Sequence, residues 1–222
     1  MVTNNRDKIM EVTLLLSLKN GFDRVSMKEI QEKSGFSAGS IYYYFKDKND
    51  ILVSMLNKYL MDNIPLFKEA IMNSDASFME KISIAFVNKT HLFNKIKIHS
   101  NSSNMPKFKY EDYFVLLMSV YHQYPEVRHM FHEMQHDLNN FYHELIQEAI
   151  EKKEIRQDID IKELTIFIQS CLKGHVTLWL NQSDFSLEEI LEANIRMISE
   201  IVEAPKITEY KHSPSINSIE LE

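Results

Sequence analysis

Residues that break helices are scarce in this chain, and their scarcity restricts the folds that it can adopt. The 222 residues include four glycines and five prolines, and no proline precedes Pro65. Gly21, Gly35 and Gly39 fall within the first forty residues, and Gly174 is the only other glycine. A sheet needs turn residues between many short strands, whereas long helices need few of them. The sequence therefore predicts an all-α fold, with short helices at the beginning and long helices after them.

The length and composition indicate a globular protein with one small and one larger domain, or a single large domain. Apolar residues make up 44% of the chain, which is enough for a core. The single cysteine, Cys171, excludes an intramolecular disulfide and suits a reducing compartment. The opening residues hold no signal peptide, and no apolar run approaches the length of a transmembrane helix. These features predict a cytoplasmic protein without membrane contact.

Residues 26–45 have the pattern of a helix, a tight turn and a second, short helix. Ser26 is a favourable N-cap, and Glu29 completes a capping box three residues later. Gly35 can adopt the left-handed conformation that ends a helix, and Ser37 can cap the next one. The segment therefore predicts a helix-turn-helix.

The second helix of this motif presents an unusual outward surface. Ile41 and Phe45 fall on its inward side, which leaves small residues and tyrosines outside. Small residues let a backbone approach base edges in a DNA major groove, while tyrosines and lysines reach phosphates. The predicted DNA-binding residues are Ser37, Ala38 and Ser40 at base edges, Tyr42 and Lys48 at phosphates, and also Ser26, Lys28, Gly39 and Tyr43.

Residues 39–51, with the sequence GSIYYYFKDKNDI, resemble the DNA-binding element of the TetR family of transcriptional regulators almost position by position. The segments 9–12 and 21–22 also fit the first helix of that family. Gln31 and Lys33 stand where small residues are usual, but the groove-facing positions are unchanged. Without the resemblance, the same pattern would also fit an αα-hairpin with no role in DNA binding.

The resemblance implies a three-helix DNA-binding head followed by a larger helical ligand-binding and dimerisation domain, with about nine helices in all. We place the head at residues 1–48 and the larger domain at residues 49–203. Residues 204–222 contain serines and prolines with little periodicity, so we expect a loose tail. A helix predicted over residues 47–65 joins the two domains, and we interpret it as a lever. Hydrophobic spacing predicts further helices at residues 4–20, 75–98, 111–124, 125–153, 161–180 and 186–202, with a loop at 99–109.

The net charge of −7 is unexpected for a DNA-binding protein, but it is unevenly distributed. Residues 1–50 carry 8 Lys+Arg and 7 Asp+Glu, a net charge of +1, and the remaining residues carry 17 and 25, a net charge of −8. The acidity therefore belongs to the larger domain. A nearly neutral head can still bind DNA if its few cations face phosphates, although its non-specific affinity should be modest.

The last two long helices are the candidates for a dimer interface. In the family that the chain resembles, these helices form a four-helix contact with a second subunit. The last helix here is apolar on more than one side, which favours burial against more than its own domain. The alternative is that these side chains fill the core of a monomer. The predicted interface residues are Phe167, Cys171, Trp179, Leu191, Ile198 and Ile201.

Two consecutive helices, at residues 111–124 and 125–153, are rich in Phe, Met and Tyr. Such side chains adapt to irregular apolar ligands, and the resemblance implies a cavity that binds an inducer among these helices. Each single residue fits an ordinary core equally well. Arg128 is the only arginine in the region, so we predict an apolar or amphipathic ligand rather than a strongly anionic one. The predicted ligand-binding residues are Phe86, Phe114, Met118, Tyr121, Phe131, Met134, Phe141 and His175.

Metal and enzyme chemistry find little support in the sequence. His132 and His136 are four residues apart and share a helix face, but no local spacing fixes a third ligand. Cys171 lies alone among apolar residues, and the chain has no GxSxG nucleophile motif. We therefore predict no metal, no cofactor and no catalytic activity. The sequence predicts a homodimeric, ligand-responsive transcriptional repressor; the alternative is a helical module of the same shape whose larger domain binds a protein partner.

Overall fold

The computed structural model of the chain describes residues 4–61, 63–95, 110–181 and 184–203. These residues form α-helices and short helical turns, without a strand, as predicted. Within them, no helix is both long enough and apolar enough to cross a bilayer. The predicted loop at 99–109 and the predicted tail at 204–222 lie outside the described residues. The helices are α1 (Asn5–Asn20), α2 (Met27–Ser34), α3 (Ala38–Tyr44), α4 (Lys48–Leu56), α5 (Asn63–Met72), α6 (Phe78–Lys95), α7 (Tyr110–Gln123), α8 (Arg128–Glu151), α9 (Ile161–Asn181) and α10 (Leu187–Glu203).

The lever predicted as one helix over residues 47–65 is divided. α4 ends at Leu56, a turn of π-helix follows at Asn57–Met61, and α5 begins at Asn63. Pro65 was expected to end the lever, and this expectation is wrong because Pro65 lies in the first turn of α5. Proline is tolerated there, since the backbone N–H groups of a first helical turn have no partner within the helix.

The π-helical turn is held against the first helix. The Lys58 ammonium forms an ion pair with the Asp7 carboxylate at 2.6 Å. Tyr59 is largely buried, which raises the pKa of its hydroxyl. Its carbonyl accepts a hydrogen bond of 3.4 Å from the Tyr113 hydroxyl of α7. The π-helical turn at Asn57–Met61 therefore contacts both the head and the larger domain.

Three clusters of buried apolar side chains form the interior. The head cluster lies between α1, α2, α3 and the start of α4, and it consists of Ile9, Met10, Val25, Ile30, Ile41, Phe45 and Ile51.

The junction cluster joins the head to the larger domain. It combines side chains of α1 and α4 with side chains of α7 and α8, so head and larger domain share one continuous core. Its members are Leu14, Leu18, Phe22, Leu52, Met55, Leu56, Tyr113, Leu116, Val120, Val127, Met130 and Phe131.

The distal cluster lies between α5, α6, α8, α9 and α10, and includes Phe78, Phe86, Phe141, Leu145, Ile168 and Ile198. Lys81 lies beside the distal cluster and is only 3% exposed. Its ammonium lies 3.3 Å from the Glu148 carboxylate, which also accepts a hydrogen bond from Lys152. These two lysines lower the pKa of Glu148, so the buried ammonium keeps a charged partner near neutral pH.

The predicted dimer residues divide between the core and the surface of this protomer. Ile198 is fully buried in the distal cluster of this protomer, and its place at a dimer interface stays a prediction. Cys171, Leu191 and Ile201 pack against the same cluster while remaining partly accessible. Phe167 is 37% exposed on α9. The sequence could not separate these cases because α10 is apolar on more than one side. Trp179 is also partly accessible.

Candidate nucleic-acid interface

The helix-turn-helix begins with a complete capping box. The Ser26 hydroxyl accepts a hydrogen bond from the backbone N–H of Glu29 at 3.2 Å, and the Ser26 N–H donates to the Glu29 carboxylate at 2.9 Å. The Ser26 hydroxyl also donates to the Glu29 carboxylate at 2.9 Å, and the hydrogen bonds that the Ser26 N–H and hydroxyl donate to this carboxylate lower its pKa. Because both groups are satisfied locally, the start of α2 is set by residues only three positions apart.

Gly35 makes the turn between α2 and α3. Its φ and ψ angles are 76° and 11°, the left-handed conformation, and its N–H donates to the Gln31 carbonyl at 2.9 Å. A Cβ at this position would meet nothing within 4 Å. The requirement for glycine is therefore set by the backbone and not by crowding.

α3 is capped at its start and anchored along one side. The Ser37 hydroxyl accepts a hydrogen bond from the Ser40 N–H at 3.2 Å and lies 2.9 Å from the Ser40 hydroxyl. Ile41 and Phe45 are almost fully buried in the head cluster. This anchoring fixes the opposite side of α3 toward solvent.

The outward side of α3 holds the predicted contact residues. Tyr42 is 54% exposed and Tyr43 is 82% exposed. Gly39 and Ser37 are exposed, while Ala38 and Ser40 are half-buried. This surface has a low ridge of small side chains at the start of the helix and two phenol groups in the following turn. It suits close approach to a polar groove, with hydroxyl donors beside it.

Lys28 and Lys48 are placed differently. Lys28 is exposed on α2, 4.0 Å from the Glu32 carboxylate in a surface pair of little energetic weight. The Lys48 ammonium donates to the Asp23 carbonyl at 3.1 Å and lies 4.6 Å from the centre of the Phe22 ring. Partial burial lowers the pKa of Lys48. The sequence predicted a phosphate contact for Lys48 but not these contacts with the helical turn Phe22–Arg24 that follows α1.

Two cations of α1 also lie over aromatic rings of the head. The Arg6 guanidinium is 5.1 Å from the Phe45 ring centre and donates to the Ser54 hydroxyl at 2.8 Å. The Lys8 ammonium lies 5.6 Å from the Phe36 ring centre. These residues connect α1 with the turn before α3 and with α4, and no local sequence pattern points to them.

The predicted ligand residues fall into two groups, one at the distal cluster and one at the junction cluster, and α8 contributes to both. Phe86, Phe141 and His175 are buried at the distal cluster, where the His175 and Phe86 rings are 5.7 Å apart. Tyr121, Phe131 and Met134 belong to the junction cluster or pack against it, and Phe114 is half-buried.

Met118 is 47% exposed on α7 among the described residues, so its contact with a buried ligand stays a prediction. The pattern of α7 allowed either side, because apolar residues surround much of that helix. A small apolar cavity of about 10 Å³, room for roughly one water molecule, lies instead between α1, α4 and α7, and is lined by Leu14, Met55, Leu56, Tyr59, Tyr113, Leu116, Leu117 and Val120.

Between the two groups of predicted ligand residues, amide side chains connect α8 with α9. Gln135 donates to the Gln169 side-chain oxygen, and Gln169 donates in turn to Asn139 at 3.0 Å.

The histidines of α8 make contacts with neighbouring side chains. The Tyr121 hydroxyl and His132 Nε2 are 3.1 Å apart, and His136 Nδ1 lies 3.3 Å from the Asn140 amide. Within the described ranges, His, Cys, Asp and Glu side chains form no group of three or more that could hold a metal ion. Burial raises the pKa of the Cys171 thiol, which lowers its reactivity as a nucleophile.

Comparison with known proteins gives matches in both parts of the chain. A family model for bacterial regulatory proteins of the tetR family matches residues 9–55, and a model for the tetracyclin repressor-like C-terminal domain matches residues 116–193. The fatty acid metabolism regulator protein of Bacillus subtilis (strain 168) is 21% identical over 192 residues, which cover 86% of this chain and 92% of that protein.

Solved structures share the fold over nearly the whole chain. The transcriptional regulator FadR from Bacillus subtilis, crystallised with stearoyl-CoA, has a TM-score of 0.63 at 20% identity, and the likeness covers 88% of this chain and 96% of that one. A putative transcriptional regulator from Saccharomonospora viridis, crystallised with choline, has a TM-score of 0.69 at 17% identity and covers 90% and 98% of the two chains.

The backbone at Gly35 leads to a prediction about stability. We expect Gly35→Ala to lower the free energy of unfolding by about 1 kcal/mol, because a side chain at positive φ strains the backbone even in open space. Gly39→Ala is the matched control, since Gly39 is helical and alanine favours a helix. Urea denaturation followed by circular dichroism measures both variants. Equal urea midpoints for Gly35→Ala and the unaltered protein would contradict the expected backbone strain at this position.

Proposed function

The chain belongs to the TetR family of bacterial regulatory proteins, and we propose that it is a homodimeric repressor released from a palindromic operator by a mostly apolar small molecule. Members of this family are DNA-binding transcription regulators and not enzymes. We propose further that the protein acts in the cytoplasm, where its DNA lies. The observation that carries the proposal is the outward side of α3, where small residues and two exposed tyrosines stand on a capped and anchored helix.

The proposed DNA contacts follow from the order of residues along α3. The first turn of a recognition helix contacts base edges, so Ser37, Ala38 and Ser40 are assigned to sequence readout. Tyr42 lies one turn later and is assigned to phosphate, together with Lys48 at the start of α4. The remaining members of the proposed surface are Ser26, Lys28, Gly39 and Tyr43.

Selection from a random duplex library tests DNA binding and its symmetry. We expect palindromic sites whose half-site centres lie about 34–36 Å apart or at a multiple of that distance. Tyr42→Phe should weaken every recovered site by about three- to tenfold through loss of one hydrogen bond. Ala38→Val should instead change the order of preference among sites. Recovery of unrelated, asymmetric sequences alone would count against the proposal.

The salt dependence of binding separates a phosphate contact at Lys48 from its contacts within the head. If Lys48 neutralises one phosphate, Lys48→Ala should reduce the slope of log K against log[salt] by about 1. Lys162→Ala is the charge-matched control, because Lys162 is exposed at the start of α9. A slope that Lys48→Ala leaves unchanged would show that Lys48 only supports the fold of the head.

The dimer proposal depends on the exposed side of α9. Phe167, Gly174 and Leu178 recur at intervals of seven and four residues, so they share one face of the helix. Phe167 and Leu178 are 37% and 41% exposed, and a Cβ at Gly174 would meet nothing within 4 Å. An accessible apolar stripe with a glycine at its centre lets a second helix approach closely. Met197 of α10 is likewise exposed.

Substitution at Gly174 tests this interface without disturbing the protomer. Gly174→Leu should raise the dimer dissociation constant at least about tenfold, because the added side chain occupies space needed by the second subunit. The protomer itself should remain folded, since its own structure leaves that space open. Sedimentation velocity across a concentration series measures the effect, with Lys162→Leu on another face of α9 as control. An unchanged dissociation constant for Gly174→Leu would show that the dimer interface lies elsewhere on the protomer.

The ligand proposal combines the relatives with the arrangement of the larger domain. The Bacillus subtilis regulator that this chain resembles was crystallised with stearoyl-CoA. Here Phe86, Phe141 and His175 lie at one cluster and Phe131 and Met134 at another, with α8 passing through both. An acyl chain inserted between them would bury hydrocarbon on both sides. We therefore propose a long-chain acyl thioester as the first ligand to test.

Release of DNA would follow from a shift between two arrangements of the protein. Side chains of α4 pack with those of α7 and α8 in the junction cluster, so these helices should move together. A ligand that separates the junction cluster from the distal cluster would therefore change the orientation of α4 and of α3. The spacing of the two heads then no longer matches successive major grooves. A ligand produces this shift only to the extent that it binds the released arrangement more tightly.

Titration of the operator complex with acyl-CoA compounds tests the ligand class. Stearoyl-CoA should release the operator, whereas acetyl-CoA and choline should not. Shortening the chain by two carbons should weaken the effect about tenfold, since each buried methylene contributes about 0.8 kcal/mol. Phe114→Glu should abolish the response and Met118→Glu should not, because Phe114 is half-buried whereas Met118 is exposed. Equal effects of acetyl-CoA and stearoyl-CoA, or release by choline alone, would exclude an apolar ligand.

A further inference from the structure

Thr165 of α9 places a hydroxyl group inside the protein. It is 2% exposed, and Leu164 and Ile168 of the same helix belong to the distal cluster. Among the side chains that the structure describes, the Thr165 Oγ1 atom is buried without a hydrogen-bond partner. A hydroxyl that leaves water in this way loses its hydrogen bonds, and folded proteins rarely leave such a loss uncompensated. The position therefore calls for a partner that the folded chain does not itself supply.

The hydrogen bonds between α8 and α9 indicate which part of α8 lies opposite Thr165. A short connection joins the two helices, which therefore run antiparallel. Gln169 of α9 accepts from Gln135 and donates to Asn139, both of α8. Thr165 lies one turn before Gln169, and Tyr142 lies one turn after Asn139. In an antiparallel pair both steps lead in the same direction, so Thr165 and Tyr142 come to the same level.

Tyr142 supplies a second hydroxyl at this level. It is 4% exposed and belongs to the distal cluster, where its ring centre lies 5.0 Å from that of Phe141 in an edge-to-face contact. Burial raises the pKa of the Tyr142 hydroxyl, so the group stays protonated and able to donate at physiological pH. Two hydroxyl donors, one from each helix, are therefore available at the same level of the contact between α8 and α9.

The sides of α8 and α9 that meet around these hydroxyls carry only uncharged residues. At helical intervals after Gln135, α8 has Leu138, Asn139, Tyr142, Leu145, Ile146 and Ala149. At the same intervals after Thr165, α9 has Ile168, Gln169 and Leu172. Lys81 is buried beside the distal cluster, but its ammonium already lies 3.3 Å from the Glu148 carboxylate. A bound carboxylate would find no cation on these two sides, whereas a neutral acceptor needs only the hydroxyl donors.

A carbonyl group at the end of a hydrocarbon chain has the chemistry that this position requires. The acyl thioester proposed above combines a long apolar chain with one neutral carbonyl oxygen, whose two lone pairs can accept from two donors. The chain would pack on apolar side chains of the distal cluster, and the carbonyl oxygen would accept from the hydroxyls between α8 and α9. The hydroxyl that lacks a partner in the free protein would then contribute to binding, because it is already in place.

We propose that Thr165 and Tyr142 donate hydrogen bonds to the carbonyl oxygen of the ligand, and that Thr165 is the residue that distinguishes an acyl thioester from an apolar molecule of equal length. The inference rests on the proposed function, because it takes a long-chain acyl thioester as the ligand. It leads to a pair of opposite effects that an ordinary core threonine does not give: removal of the hydroxyl stabilises the free protein and weakens its binding of the thioester.

Thermal unfolding of the full-length protein without ligand tests the first effect. Thr165→Val keeps the shape of the side chain and replaces the hydroxyl with a methyl group, so the melting temperature should rise by about 2–4 °C. Thr13→Val is the matched control. Thr13 is also fully buried in a helix, but its hydroxyl donates to the Ile9 carbonyl at 2.8 Å, so its removal should not raise the melting temperature.

Titration with two ligands, below their micelle concentrations, tests the second effect. Stearoyl-CoA has the carbonyl oxygen, and S-octadecyl-CoA is a thioether with the same number of chain carbons that lacks it. The unaltered protein should bind stearoyl-CoA about tenfold more tightly than the thioether. Thr165→Val and Tyr142→Phe should each weaken the binding of stearoyl-CoA about three- to tenfold and leave the binding of the thioether unchanged. Thr165→Ser keeps a hydroxyl and should retain the preference for the thioester.

The results separate failure of this inference from failure of the proposed function. A lower melting temperature for Thr165→Val overturns the inference, because the hydroxyl would then already have a partner in the free protein. Equal weakening of thioester and thioether binding by Thr165→Val also overturns it, because the residue would then shape the site without bonding the carbonyl; the proposed function stands in both cases. Failure of the unaltered protein to bind stearoyl-CoA overturns the proposed ligand and this inference with it.

Discussion

The burial of α1 and α4 side chains against α7 and α8 is the interaction on which the rest of the structure depends. A head of about fifty residues buries too little apolar surface to be robust alone. Leu14, Phe22 and Leu52 supply the missing contacts by entering a core that belongs equally to the larger domain. The same contacts that complete the head therefore also couple it to the larger domain. In the mechanism proposed above, signal transmission would depend on the same side chains that stabilise the head.

Much of the head could be predicted from the sequence because its structure depends on near neighbours. Ser26 and Glu29 are three residues apart, and Ser37 caps a helix through Ser40. Gly35 ends α2 by its own backbone conformation. Local rules describe such features well, since no distant residue has to be known. The long helices of the larger domain were predictable for a related reason: scarce glycines and prolines leave helical spacing uninterrupted.

The sequence alone did not show which of several apolar sides of a helix faces the core. α7 and α10 are apolar around much of their circumference, so Met118 and Ile198 each fitted two environments. The structure places Met118 outside and Ile198 inside. The hydrogen bond between Asn49 and Glu126, 77 positions apart, was also beyond reach, because no local pattern relates residues so distant in sequence. The prediction that Pro65 ends a helix was wrong because proline occurs both after the end of a helix and in its first turn. The sequence alone does not distinguish these two positions.

Three of the eight Lys and Arg residues of the head lie over aromatic rings of the head itself. Arg6, Lys8 and Lys48 are each within 6 Å of a ring centre. Cations held in this way contribute less to a diffuse attraction for the DNA polyanion than freely extended ones. Residence on random sequence should accordingly be brief, and the search for a target should proceed through many short collisions in solution more than by long travel along the duplex. A regulator of this kind should exchange rapidly among sites, so under the proposed function a change in effector level would alter gene expression without slow departure from non-specific DNA.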